Sequence, residues 1–360
     1  MKPRLPRLPS AAWTALLALL AAWWLTWSPP GFAATRADTD APPPDAALVQ
    51  RSLALQRARQ AVLGVETEAL EDARSAATLG RTRRGSGVVI GADGLVLTIG
   101  YLVLEAEAVL LVHEDGRRIP AQVRAYDPAS GFGLVQALAP LRTDPVPLGR
   151  ADALQPGQPL MVASGGEQAQ VGVAQLVARR PFAGYWEYAI DGALYTRPAR
   201  RDHPGAGLFD ADGALVGIGS LLLADVGEAA AEGGPARRAG NLFVPVDLLP
   251  SAIAALHGSG QGSGRRAWLG LNCVEDEGGL RIVRVTEDSP ADVAGLQPGD
   301  RILRIDGEPV QALGALWQAL WRGGASERAV TLDIRRDEQA QTLTVHSVDR
   351  LKTLRRAQGI

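Results

Sequence analysis

Few groups in this 360-residue chain could do chemistry: four histidines (His113, His203, His257 and His346), one cysteine, and serines set beside glycines. Ser164-Gly165-Gly166 mimics a nucleophile motif, while His203 precedes Pro204 and has no serine or cysteine neighbour in sequence. His113 sits beside Glu114-Asp115-Gly116, a turn tip, and is expected in solvent. The histidines and the cysteine are scattered, without HExxH or CxxC spacing, so neither a metal centre nor a cofactor is expected. Cys273, the sole thiol, has no partner for an intramolecular disulfide and reads as a small buried apolar residue. Arg179, Arg180, Arg197, Arg200 and Arg201 could form an anion-attracting cleft or a solvated basic surface. Tyr185, Trp186 and Tyr188 read as an aromatic run on a strand. Alternation there sends Tyr185 to one side with Glu187 and Trp186 to the other with Tyr188, the latter pair into the core.

The composition, 46% apolar and 21% charged with a net charge of −2, excludes disorder, collagen-like repeats and a strongly basic nucleic-acid binder. Four of the eight tryptophans fall within the first 27 residues, in an uncharged run from Ala11 to Trp27 that follows Lys2, Arg4 and Arg7 and precedes Ser28-Pro29-Pro30. Charge, apolar run and breaker in that order make a secretory signal over residues 1–33, with cleavage after Ala33 between small residues. An uncleaved inner-membrane anchor is the alternative. Residues 34–60 read as an Asp/Ala/Pro-rich tether followed by a helix that Asp45 could cap. From Val62 to Leu223 short β-type runs separated by turns predict a barrel or sandwich. Ser86–Thr98 (SGVVIGADGLVLT) and Ala206–Gly219 (AGLFDADGALVGIG) echo each other as hairpins around Ala-Asp-Gly, as two similar barrels would. The Gly/Ser stretch at 258–265 marks a linker, and 266–350 alternates strands with short helices before a tail at 351–360.

Within that last module, Arg281–Val310 reads RIVRVTEDSPADVAGLQPGDRILRIDGEPV and closely resembles a PDZ domain. From about Arg57 to Arg350 the chain resembles the HtrA/DegP family of periplasmic trypsin-like serine proteases, on the landmarks Gly85–Val88, Gly91–Thr98, Asp127-Pro128, Gly207–Ile218 and Asn241–Pro245. The resemblance implies a mainly β fold: a trypsin-like double six-stranded β-barrel over 61–257, followed by an α+β PDZ domain.

Carried over position by position, the resemblance puts Tyr101 where the family has its histidine, Gly131 where it has its aspartate and Pro204 where it has its serine. A phenol with a pKa near 10 accepts protons poorly at neutral pH. Proline has no N–H for the oxyanion hole, and Asp202 would bring negative charge toward the same place. Ser164 aligns with a strand of the second barrel and reads as a turn. No catalytic triad is therefore expected to be intact.

Binding is what the resemblance leaves. Trp268, Leu269, Gly270 and Leu271 match the loop whose backbone N–H groups hold a peptide carboxylate while the peptide adds as a strand. Leu313, Leu316, Trp317 and Leu320 form one apolar helix face, part groove and part core, and Trp321 is expected at the rim. The expected partners are peptide or protein C-termini, not nucleic acid. A homo-trimer or assembly with an active paralogue is also open, although no Phe, Trp or Tyr lies between Ala34 and Gly100 to build the family's aromatic contacts. An adaptor, chaperone-like or regulatory pseudoprotease in the periplasm is the leading reading; an active endopeptidase and a structural subunit are its competitors.

Overall fold

The computed structural model describes residues 44–227, 238–256 and 265–355. The signal and cleavage site, the tether, His257, most of the Gly/Ser linker and the last five residues lie outside them. A helix, Pro44–Gln60, leads directly into the first barrel. It starts one residue ahead of Asp45, with proline in the first turn, where a missing N–H costs nothing.

The first barrel contains β1 (Val62–Ala69), β2 (Thr82–Val89), β3 (Leu95–Ile99), β4 (Ala106–Val112), β5 (Arg118–Tyr126) and β6 (Phe132–Ala137), closed in the order β1-β2-β3-β6-β5-β4. The second contains β7 (Pro159–Ala163), β8 (Val171–Ala183), β9 (Ala189–Arg197), β10 (Gly207–Phe209), β11 (Leu215–Leu223) and β12 (Gly240–Pro245), closed as β10-β11-β12-β9-β8-β7. The two barrels share one connectivity when their strands are matched in chain order, but the two Ala-Asp-Gly hairpins do not correspond: β2–β3 joins the second and third strands of the first barrel and β10–β11 the fourth and fifth of the second, so the echo is one of turn chemistry, with Gly94 and Gly213 supplying the positive φ. Closure leaves neither barrel with an open edge, and inward-facing Val, Leu, Ile and Phe fill both interiors.

Across the junction, the Ser86 N–H donates to the Pro204 carbonyl at 2.8 Å and the Gly165 N–H to the Ser86 hydroxyl at 3.0 Å. These bonds tie β2 directly to the loops of the second barrel where a cleft would run.

The C-terminal domain pairs β13 (Ala267–Trp268) with β20 (Val348–Asp349). It also builds a larger sheet from β14 (Leu271–Asp276), β15 (Gly279–Val285), β16 (Arg301–Ile305), β18 (Ala329–Arg336) and β19 (Gln339–His346), with β17 (Glu308–Pro309) beside β16. Ser289 caps the short helix Pro290–Val293 by accepting from the Asp292 N–H. The helix Leu313–Arg322 covers the sheet and buries Leu316, Trp317 and Leu320. Arg336 reaches both oxygens of the buried Asp300 at 2.6 Å. The chain end returns to the first barrel, where the Arg355 N–H donates to Glu105. Among the described residues no helix is long and apolar enough to cross a membrane.

Candidate functional site

Tyr101 sits in the turn after β3. Its hydroxyl donates to the Ser220 carbonyl on β11 at 2.8 Å, and burial pushes its pKa far up. It is therefore a neutral hydrogen-bond donor across the two barrels. Arg83 holds this turn from below by donating to the Tyr101 and Leu104 carbonyls at 3.0 and 2.7 Å.

Gly131 ends a tight turn in which the Asp127 carboxylate accepts from the Ala129 and Ser130 N–H groups and, at 2.6 Å, from the Ser130 hydroxyl. That acid is committed to the turn. Gly131 has φ of +79°, and a Cβ there would lie 2.9 Å from the Tyr188 hydroxyl. Tyr188 is buried and donates to the Ser130 carbonyl at 2.7 Å, so a phenol fills the space beside this position.

Pro204 contributes a carbonyl to β2 and no N–H. Asp202 does not present a bare charge beside Pro204. Arg200 binds it at 2.5 Å and the Ser164 hydroxyl donates to it at 2.7 Å, and together these hold its pKa down despite burial. Ser164 thus lies just beyond β7, spent on Asp202 and on the Gln170 N–H. His203 turns Nδ1 to the Arg200 carbonyl at 3.0 Å, and burial lowers its pKa against the opposing pull of Asp202 and of nearby backbone carbonyls.

One expectation needs correction nearby. His113 is buried, not solvent-exposed, because its N–H and carbonyl close the tight turn to Arg117 and Gly116 and fold the ring inward, with Nε2 left unpartnered. Of the five arginines, Arg200 is paired with Asp202 and Arg180 lies 4.4 Å over the Tyr195 ring. Among the described residues no three His, Cys, Asp or Glu side chains could share a metal ion.

In the C-terminal domain Trp268–Leu271 form a tight loop. Gly270 adopts φ of +93°, which turns the N–H groups of Leu269, Gly270 and Leu271 toward one point. Leu269 and Leu271 are buried beneath it, and Trp268 belongs to β13, with Arg350 stacked 5.0 Å over its ring. On the covering helix, Leu316 and Leu320 are core and Leu313 is only partly buried. Trp317 is fully buried, yet its indole N–H emerges to donate to Gly184. Trp321 is partly covered by Arg266, 4.1 Å over its ring, and donates to the Ala267 carbonyl, so it is tied in rather than free at the rim. Cys273 is buried as expected, and burial raises its thiol pKa strongly.

At the point where the three loop N–H groups converge lies Glu187, whose Oε1 accepts from Leu269, Gly270 and Leu271 at 3.0, 2.9 and 3.0 Å. Sequence reasoning missed it. Residues 184–188 form the connection between β8 and β9 and not a strand, so alternation does not hold: Tyr185 is exposed while the Glu187 carboxyl is buried. Trp186 and Tyr188 do share a side, stacked with ring centroids 5.8 Å apart. The signal available in the sequence was a single acid inside an aromatic run.

Residues 85–218 match the trypsin-like peptidase domain family and residues 267–346 the PDZ domain family. The chain is homologous to the DegP/HtrA serine endoproteases. A probable periplasmic serine endoprotease DegP-like from Marinomonas sp. (strain MWYL1) is 28% identical over 285 residues, covering 74% of this chain and 57% of the relative. The periplasmic serine endoprotease DegP of Escherichia coli (strain K12) is 28% identical, covering 64% of this chain and 50% of its own. The chain thus spans about half the length of the curated relatives it matches. Among solved structures, the HtrA-type protease AlgW with decapeptide covers 83% of this chain and 98% of its own, with a TM-score of 0.52 at 21% identity, a likeness of fold.

Proposed function

We propose that this protein is a periplasmic pseudoprotease, a trypsin-like double barrel kept as a scaffold whose PDZ domain binds peptide or protein C-termini in an adaptor, chaperone-like or regulatory role. The observation that carries this reading is the chemistry at three aligned positions. Tyr101 offers a phenol already bonded to the Ser220 carbonyl, Gly131 offers no side chain and Pro204 offers neither hydroxyl nor N–H. Removing one oxyanion donor alone typically costs about a hundred- to a thousandfold in rate. Here base, orienting acid, nucleophile and donor would all have to be replaced at once. The periplasmic assignment rests on the charged and apolar N-terminal segment and on relatives that are named periplasmic. Fold alone does not decide activity. Incubating the purified protein with casein tests the reading: unchanged substrate is expected, and turnover that tracks the protein through purification would refute it.

A further inference from the structure

The PDZ groove is not empty: a stretch of the same chain lies in it. The Cys273 N–H on β14 donates to the Tyr185 carbonyl at 2.6 Å, and Trp186 forms an isolated antiparallel bridge with Asn272, so residues 184–187 lie along the open edge of β14 without becoming a strand of the sheet. The opposite wall contributes Trp317, whose indole N–H donates to the Gly184 carbonyl at 2.9 Å. At the end of this segment Glu187 places one carboxylate oxygen on all three N–H groups of the loop. Strand pairing, groove wall and carboxylate loop are the three contacts a peptide terminus would make, and each has an internal occupant.

We propose that Gly184–Glu187 is an internal surrogate ligand, with the Glu187 side chain standing in for a terminal carboxylate, so that a free peptide C-terminus enters the groove only by displacing it. This rests on the reading of the domain as a binder of C-termini. The surrogate is imperfect in a way that permits exchange. Oε1 takes all three donors, whereas Oε2 is buried without a hydrogen-bond partner. A main-chain carboxylate arriving on an unconstrained peptide can orient both oxygens, and leaving a buried acceptor unmade is unfavourable.

The segment is also connected at its other end. Ala183 and Ala189 pack against the PDZ core, and Tyr188, next to Glu187, is the phenol beside Gly131. Displacement of Glu187 therefore pulls on the chain that fills the former triad site. A surrogate docked nine-tenths of the time or more weakens apparent affinity for an external ligand at least about tenfold.

The test is binding of a fluorescent decapeptide pool, randomised at its last four positions and carrying a free carboxyl terminus, to the purified full chain and to its Glu187→Ala variant. The expected result is at least tenfold tighter binding to the variant, lost in both proteins when the pool is C-terminally amidated. Equal affinities would overturn self-occupancy while leaving the peptide-binding reading intact. Absence of binding to either protein would overturn the peptide-binding reading, and the proposal with it. Hydrogen exchange on the unsubstituted chain needs no variant and guards against one that fails to fold. Cys273 and the loop amides should be protected without peptide, and saturating peptide should deprotect Gly184 and Tyr188. Rapid exchange at Cys273 in the ligand-free protein would overturn the docked segment.

Discussion

Raising the pH should loosen the contact between Glu187 and the PDZ loop. Burial lifts this carboxyl to about 7 from an ordinary 4.5, against the downward pull of the Leu271, Leu269 and Gly270 N–H groups and of Arg350. The facing Cys273 thiol stays protonated, its own pKa raised by burial, so it adds no charge over this range. An acid with a raised pKa binds more protons docked than released. Its stabilising contribution is therefore fully present below about 4.5 and is lost as pH climbs through about 7. Roughly 2.5 pKa units correspond to about 3 kcal/mol, or between one hundred- and one thousandfold in the docking equilibrium, as an upper bound for a single group. Other carboxyls titrate in the opposite sense, Asp276 and Asp202 among them, because arginine partners hold their pKa values down. The informative quantity is accordingly the difference between the native protein and Glu187→Gln, which mimics the protonated acid and cannot ionise. Exchange protection of the Leu269–Leu271 amides, corrected for intrinsic rates, should fall between pH 5 and pH 8 in the native protein by more than in the variant. Parallel pH profiles in the two proteins would refute the reasoning.

Three further outcomes follow from packing. Gly131→Ala should destabilise the barrels by about 1–3 kcal/mol or more in urea unfolding, because φ of +79° and the Tyr188 hydroxyl 2.9 Å from the new Cβ both oppose it. Tyr101→Phe should cost about 1–3 kcal/mol, since the buried Ser220 carbonyl loses its donor while the ring keeps its place. Arg336→Ala should cost about 3–5 kcal/mol and lower the melting temperature, because Asp300, only 1% exposed, would be left as a buried carboxylate without its ion pair.

Much of the fold was legible because its signals are local. The Ala-Asp-Gly turns mark one hairpin in each barrel, though at different places in their shared connectivity, and the run from Arg281 to Val310 orders strand, cap, helix and strand as the PDZ domain uses them. The reading of Tyr101, Gly131 and Pro204 against the family's triad rests on the same kind of signal, each standing beside a landmark of fixed spacing. What the sequence could not disclose is contact between distant segments. Glu187 meets the Leu269–Leu271 loop across more than eighty residues, and nothing in its neighbours distinguishes it from a solvated acid on a hairpin. His113 likewise read as exposed because its neighbours are charged, although the turn folds its ring inward. Asp202 read as an unpaired charge because its salt bridge with Arg200 depends on how the loop curls back on itself.

The central claim, that the double barrel has no working nucleophile, is tested most directly by treating the purified folded protein with a fluorophosphonate probe and weighing the intact chain. The account predicts unchanged mass. A stoichiometric adduct lost in Ser164→Ala would contradict it and would mean that the hydroxyl now donating to Asp202 serves as a nucleophile after all.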